Sequence, residues 1–127
     1  MIVNASIIDI QKDVPQESDC FIVDTNALIW AFYTRGQYGA DTYQTKHYPE
    51  YLDKIANSKA KIYTTSFTLI EISHVIEKIE YEIFKIKNCM PKMPMKNFRH
   101  QADMTKVKEE TSLTWEQIQS ISTQLDI

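Results

Sequence analysis

The chain has little of what would place it quickly. It holds two glycines, Gly36 and Gly39, in 127 residues, which excludes a glycine-rich loop that cradles phosphate. Two cysteines, Cys20 and Cys89, are too few for a disulfide framework, so the expected compartment is the reducing cytoplasm. Neither they nor His47, His74 and His100 fall at a zinc spacing. Cys20 is expected to act as a small buried hydrophobe at a strand entrance. No apolar run approaches the ~20 residues that span a bilayer. The first residues also lack the basic and apolar regions of a secretory signal, so no membrane association is expected. A surplus of basic charge is missing too: the net charge is −3 and the pI about 5.6, against overall nucleic-acid binding.

What remains is the composition of an ordinary globular protein, 43% hydrophobic and 24% charged, with a length suited to one domain over residues 1–127. Its organising stretch is Phe21-Ile22-Val23-Asp24-Thr25-Asn26-Ala27-Leu28-Ile29-Trp30. The first three residues predict a short buried strand, and Asp24 to Asn26 favour a helix start. The apolar run from Ala27 to Phe32 predicts a buried helix. Asp24 therefore emerges at the carboxyl end of a strand, where α/β sheets bind ligands. The plainer reading is that Asp24 only caps the helix.

In chain order, Ile2 to Ile10 is rich in Ile and Val and suggests a short strand, and Gln11 to Asp19 a loop. Thr34 to Lys46 reads as a polar loop, and Tyr48-Pro49-Glu50 as the start of a helix closed by Asn57-Ser58. Ala60 to Thr64 is the next strand. Thr65 and Ser66 can cap a long helix, Phe67 to Lys87, with a stripe of Leu69, Ile72, Ile76, Ile79, Ile83 and Ile86. Glu71 lies on the margin of that stripe, on the side of His74 and Lys78, where an early acid also suits the helix dipole. Asn88 to Asn97, with two prolines and three methionines, reads as a loop whose methionines fill packing gaps. A further helical region follows Phe98, with Thr114 to Gln117 as a capping box and Trp115, Ile118, Ile121 and Leu125 on one face.

Strand, helix, helix, strand, long helix is the order of two parallel strands joined by a right-handed crossover. The expected fold class is α/β, a small parallel sheet with flanking helices. In it Asp24 and Glu71 converge on one sheet edge. Adjacent carboxylates repel unless a cation lies between them, and hard Mg²⁺ or Mn²⁺ is the natural partner. Seven basic residues and one acid fall between Lys85 and Lys108. Such a run usually means a solvated face, but it is the only candidate phosphate-facing patch.

The segment Ile22 to Ile29, followed about forty-five residues later by Ile62 to Ile72, resembles the N-terminal half of a PIN domain. Many members are metal-dependent endoribonucleases, including toxins of bacterial toxin–antitoxin pairs. The resemblance implies Asp24 and Glu71 as catalytic, metal-binding acids, with Asn26 and the Thr65 and Ser66 hydroxyls holding them. It implies Mg²⁺ or Mn²⁺ as cofactor and single-stranded RNA as substrate, with Lys92, Lys96 and Arg99 as weak RNA contacts. The family's third and fourth acids lack a matching context here; Asp103 and Asp126 are the remaining acids. The expectation is therefore a partial PIN-like domain, truncated before the last strands. Such a chain is either an endoribonuclease whose missing acids come from another chain or a longer product, or a non-catalytic module acting through a dimer or an antitoxin-like partner. A haloacid-dehalogenase-type phosphatase also uses an Asp after a strand, but needs a second Asp where Asn26 stands.

Overall fold

The computed structural model describes residues 4–33, 43–101 and 104–125. The elements run β1 (Cys20–Ile22), α1 (Thr25–Phe32), α2 (Tyr43–Ser58), β2 (Lys61–Thr65), α3 (Ser66–Lys87), α4 (Met95–Gln101), α5 (Met104–Ile121) and β3 (Thr123–Leu125). The three strands form one parallel sheet in the order β1-β2-β3, with Phe21 opposite Ile62 and Thr64 opposite Gln124. An α/β fold with a small parallel sheet and flanking helices is thus present.

Both crossovers step in the same direction across the sheet. Right-handed connections that do so put their helices on one face. The burial agrees: Phe21 and Ile62 pack with Leu52 and Ile55 of α2. The residues alternating with them, Cys20 and Ile22, are exposed, Ile22 at 82%. Cys20 is accordingly not the buried hydrophobe expected, because its place in the pleat turns it away from α2. The larger core lies between α1, α3 and α5, where Leu28, Ile72, Ile76, Phe98 and Ile118 are fully buried. Within the α3 stripe Ile72 and Ile76 are at 0% exposure, whereas Ile86 is at 79%, beyond the reach of α5. Met93 is buried and Met95 packs against the same core, so these two methionines do fill packing space; Met90 is exposed.

Several local expectations give way to tertiary context. No strand forms over residues 4–10, where Asp9 folds the chain back by accepting the Gln11 N–H at 2.9 Å and those of Lys12 and Asp13 at 3.0 Å. Helix α2 begins at Tyr43, so Pro49 sits inside it rather than at its start. A proline removes one helical hydrogen bond, and the buried Leu52 and Ile55 hold the helix across that gap. Thr114 caps nothing: it is buried in mid-α5, in line with Val107 and Ile118, because packing of this face outweighs a local capping signal. The loop expected to Asn97 ends earlier, at Met95.

Truncating Ile76 to Ala should destabilise the fold by about 2–5 kcal/mol, as for a buried aliphatic side chain that leaves a cavity. Ile86→Ala should stay within about 0.5 kcal/mol. Urea denaturation of both variants checks this, and equal losses would contradict the core described.

Candidate functional site

The N-terminus of α1 is built by Asp24. Its backbone is extended (φ −61°, ψ 145°), and its Oδ2 accepts the Asn26 N–H at 3.1 Å. The plain capping role is therefore real, and it leaves the side chain exposed at the carboxyl end of β1. Asn26 supports Asp24 through its backbone N–H; its own side chain is exposed.

Glu71 comes from α3, whose N-cap is Thr65; the Thr65 N–H donates to the Thr68 hydroxyl at 3.2 Å. Because the helix begins at Ser66, Glu71 is in its second turn and the first turn holds no acid. The helix dipole acts chiefly within the first turn, so that explanation for Glu71 weakens.

What joins the two acids is Thr25. Its hydroxyl donates to Glu71 Oε2 at 2.6 Å, bridging 46 residues of chain. Thr25 follows Asp24 directly, one Cα step of about 3.8 Å away. Asp24 thus follows the carboxyl end of β1 and Glu71 lies in the helix that follows β2, tied to the residue next to Asp24. Each commits one oxygen, Asp24 Oδ2 to a backbone N–H and Glu71 Oε2 to Thr25. Exposed carboxylate oxygens of this kind are hard donors, which suits Mg²⁺ or Mn²⁺ held by one or two protein carboxylates with water completing the shell. Among the described residues no group of three or more His, Cys, Asp and Glu side chains converges. Asp103 and Asp126 lie outside the described residues.

Thr65 and Ser66 serve the start of α3; among the described residues neither hydroxyl donates to Asp24 or Glu71. Thr25 takes the holding role instead. Its signal was in the sequence: Thr25, Leu28, Ile29 and Phe32 fall at helical spacing, so a hydroxyl lay on the core-facing stripe and needed a partner.

The basic segment is partly committed. The Arg99 Nε–H donates to Glu77 Oε1 at 3.1 Å. Lys85 pairs with Glu82 at 3.1 Å and lies 4.3 Å from the centre of the Tyr81 ring. The hydrogen bond from Lys85 to Glu82 raises the lysine above its ordinary pKa. Lys92 and Lys96 are exposed.

The chain matches no protein-family model, no curated protein and no solved structure. No helix in the described residues is long and apolar enough to cross a membrane.

Replacing Thr25 by Val keeps shape and removes the donor. A hydrogen bond to a charged group contributes about 1.5–3 kcal/mol when well buried. With Glu71 exposed, solvent screening reduces this, and a loss of about 1 kcal/mol is expected. In a Glu71→Gln background the same substitution should cost less. A double-mutant cycle from chemical denaturation reads the coupling, and strict additivity would mean the contact carries no energy.

Proposed function

We propose that the chain is a PIN-like domain in which Asp24 and Glu71 hold Mg²⁺ or Mn²⁺ for endonucleolytic hydrolysis of single-stranded RNA. The observation that supports this reading best is the Thr25–Glu71 hydrogen bond. It ties the acid of one crossover unit to the residue next to the acid of the other. Two carboxylates kept only as helix caps have no need of such a link. The bound ion's contribution would be activation of water and neutralisation of charge building on a phosphodiester oxygen. The chain's own residues supply position. Asn26 N–H fixes one acid and the Thr25 hydroxyl the other, so their remaining oxygens stay oriented at one edge. Lys92 and Lys96, two of the exposed cations of the basic segment, would meet the RNA backbone, while Arg99 is braced by Glu77. Further acids, as in other PIN domains, would come from Asp103 or Asp126, from another chain, or from a longer product. Cytoplasmic location and toxin–antitoxin pairing belong to the same proposal.

Titrating Mn²⁺ should change the fluorescence of Trp30, which lies in α1 five positions beyond Thr25. The change should vanish in Asp24→Asn. Cleavage of a single-stranded RNA should fall by roughly two orders of magnitude or more in Asp24→Asn and in Glu71→Gln. Cleavage that survives both substitutions would assign the activity elsewhere.

A second reading, a non-catalytic module acting through a dimer or an antitoxin-like partner, is favoured by the exposure of Cys20 and Ile22 on one side of β1. All-parallel sheets are normally covered on both faces, yet Ile22 stands open on an edge strand. Light scattering separates the readings: a monomer at all concentrations, together with metal-dependent cleavage, leaves the enzyme reading alone.

A further inference from the structure

The face of α2 that looks toward the N-terminal turn carries Lys46, His47, Glu50, Tyr51 and Lys54, at the spacing of one helix surface. Together with Ile10 and Gln11 these residues line a cavity of about 250 Å³. The turn is clamped over the helix, because the Tyr51 hydroxyl donates to Asp13 Oδ2 at 2.5 Å. The far side of the Tyr51 ring packs edge-on against Phe21 of β1, with centroids 6.1 Å apart. The cavity wall is therefore fixed to the sheet.

The charges in this cavity do not pair as the helix spacing invites. Lys46, Glu50 and Lys54 are successive i, i+4 neighbours, the arrangement of a surface ion-pair ladder. Glu50 instead lies 3.6 Å from His47 Nδ1, and among the described residues neither lysine has an ion pair within 4.0 Å. The imidazole is held on its other side by the Tyr43 ring, 4.6 Å between centroids. Engagement of Nδ1 with Glu50 leaves Nε2 as the other polar atom of the ring. The lining thus offers two ammonium groups and the Gln11 amide as donors. Against them stands one carboxylate, already facing His47. Donors in such excess call for a ligand with several acceptor oxygens and negative charge.

We propose that this cavity between α2 and the turn at residues 9–13 binds a phosphate group, with Lys46 and Lys54 as its counter-charges and the Gln11 amide as a further donor. The two lysines stand eight residues apart, about 12 Å along the helix, so they approach the bound group from opposite ends of the cavity. The volume suits inorganic phosphate or the phosphate end of a nucleoside monophosphate, and falls below that of a drug-sized site. This site involves neither Asp24 nor Glu71 and stands apart from the chemistry assigned to them.

The full chain is titrated with inorganic phosphate, a nucleoside 5′-monophosphate and, at matched ionic strength, acetate. Binding is followed by calorimetry and by the His47 ring resonances. Both phosphates should bind saturably with a dissociation constant of about 1 mM or tighter, and acetate should not. Tighter binding of the nucleotide would extend the ligand to a nucleotide; equal binding would restrict it to the phosphate group. Either result supports the site. The double variant Lys46→Gln, Lys54→Gln should weaken binding about tenfold or more at an unchanged thermal midpoint. The charge-matched pair Lys78→Gln, Lys108→Gln should leave binding as it was. Glu50→Gln, which removes the carboxylate facing the anion, should hold or raise the affinity. Absence of saturable binding, an equal response to acetate, or undiminished binding in the Lys46/Lys54 variant would overturn the proposal.

The clamp itself has a pH signature. Burial, reinforced by the hydrogen bond and the negative charge of Asp13, pushes the Tyr51 phenol from 10.0 up to about 12. In the unfolded chain the phenol loses its proton first, so unfolding is increasingly favoured as pH rises from 10 through about 12. Below 10 this contribution is fully present. Stability measured across that window should fall with pH, and Tyr51→Phe should flatten the fall; an identical slope in both proteins would show that the phenol is not clamped.

Discussion

The parallel pairing of β1 with β2 is the constraint on which the rest of the molecule depends. It sets Phe21 beside Ile62, and so decides which residues of each strand face the helices. It also sets the carboxyl ends of both strands side by side, from which Asp24 and α3 depart. A parallel pair needs a crossover, and α1 and α2 supply it, packing their apolar faces on Phe21, Val23 and Ile62. The Thr25–Glu71 bond is the polar counterpart of that packing, joining the first turn of α1 to α3 above the sheet.

A second consequence follows from direction. Strand β3 extends the sheet beyond β2 rather than returning to the other side of β1. Helices α1, α3, α4 and α5 share the core around Ile72, Ile76 and Ile118, and α2 packs on the sheet in a second, smaller cluster with Ile62. Buried within that core, Glu80 accepts the Tyr33 hydroxyl, so the C-terminal end of α1 is fastened to α3 as its N-terminal end is. On the opposite side of β1, Cys20 and Ile22 are exposed. The same pleat that buries Phe21 exposes its neighbours.

Polar groups in this molecule are used for position, some within a turn and some across the fold. Asp9, Asp13, Asp24 and Glu50 each engage a neighbour through a turn, a clamp, a cap or an imidazole. Only some of them leave an oxygen or a charge facing solvent at a place where elements meet. The Asp24–Glu71 edge presents oxygens; the α2 cavity presents donors.

Much of this was legible in the chain. The β-branched and aromatic runs marked β1 and β2, and a period of 3.6 marked α3 with its buried Ile72 and Ile76. The parallel sense of the strands followed from the length of the connection between them, and it set Asp24 and the start of α3 at their carboxyl ends. Those features are set by neighbours along the chain or by covalent reach, so the sequence by itself determined them. Only the tertiary structure decided that α2 runs through Pro49, that Thr114 is core rather than cap, and that residues 4–10 pair with no strand. It also decided that Thr25, not Thr65 or Ser66, holds Glu71, and that Lys46 and Lys54 line one cavity without forming ion pairs across it. In each case several local conformations lay within about 1 kcal/mol of one another, and contacts from distant parts of the chain made the choice.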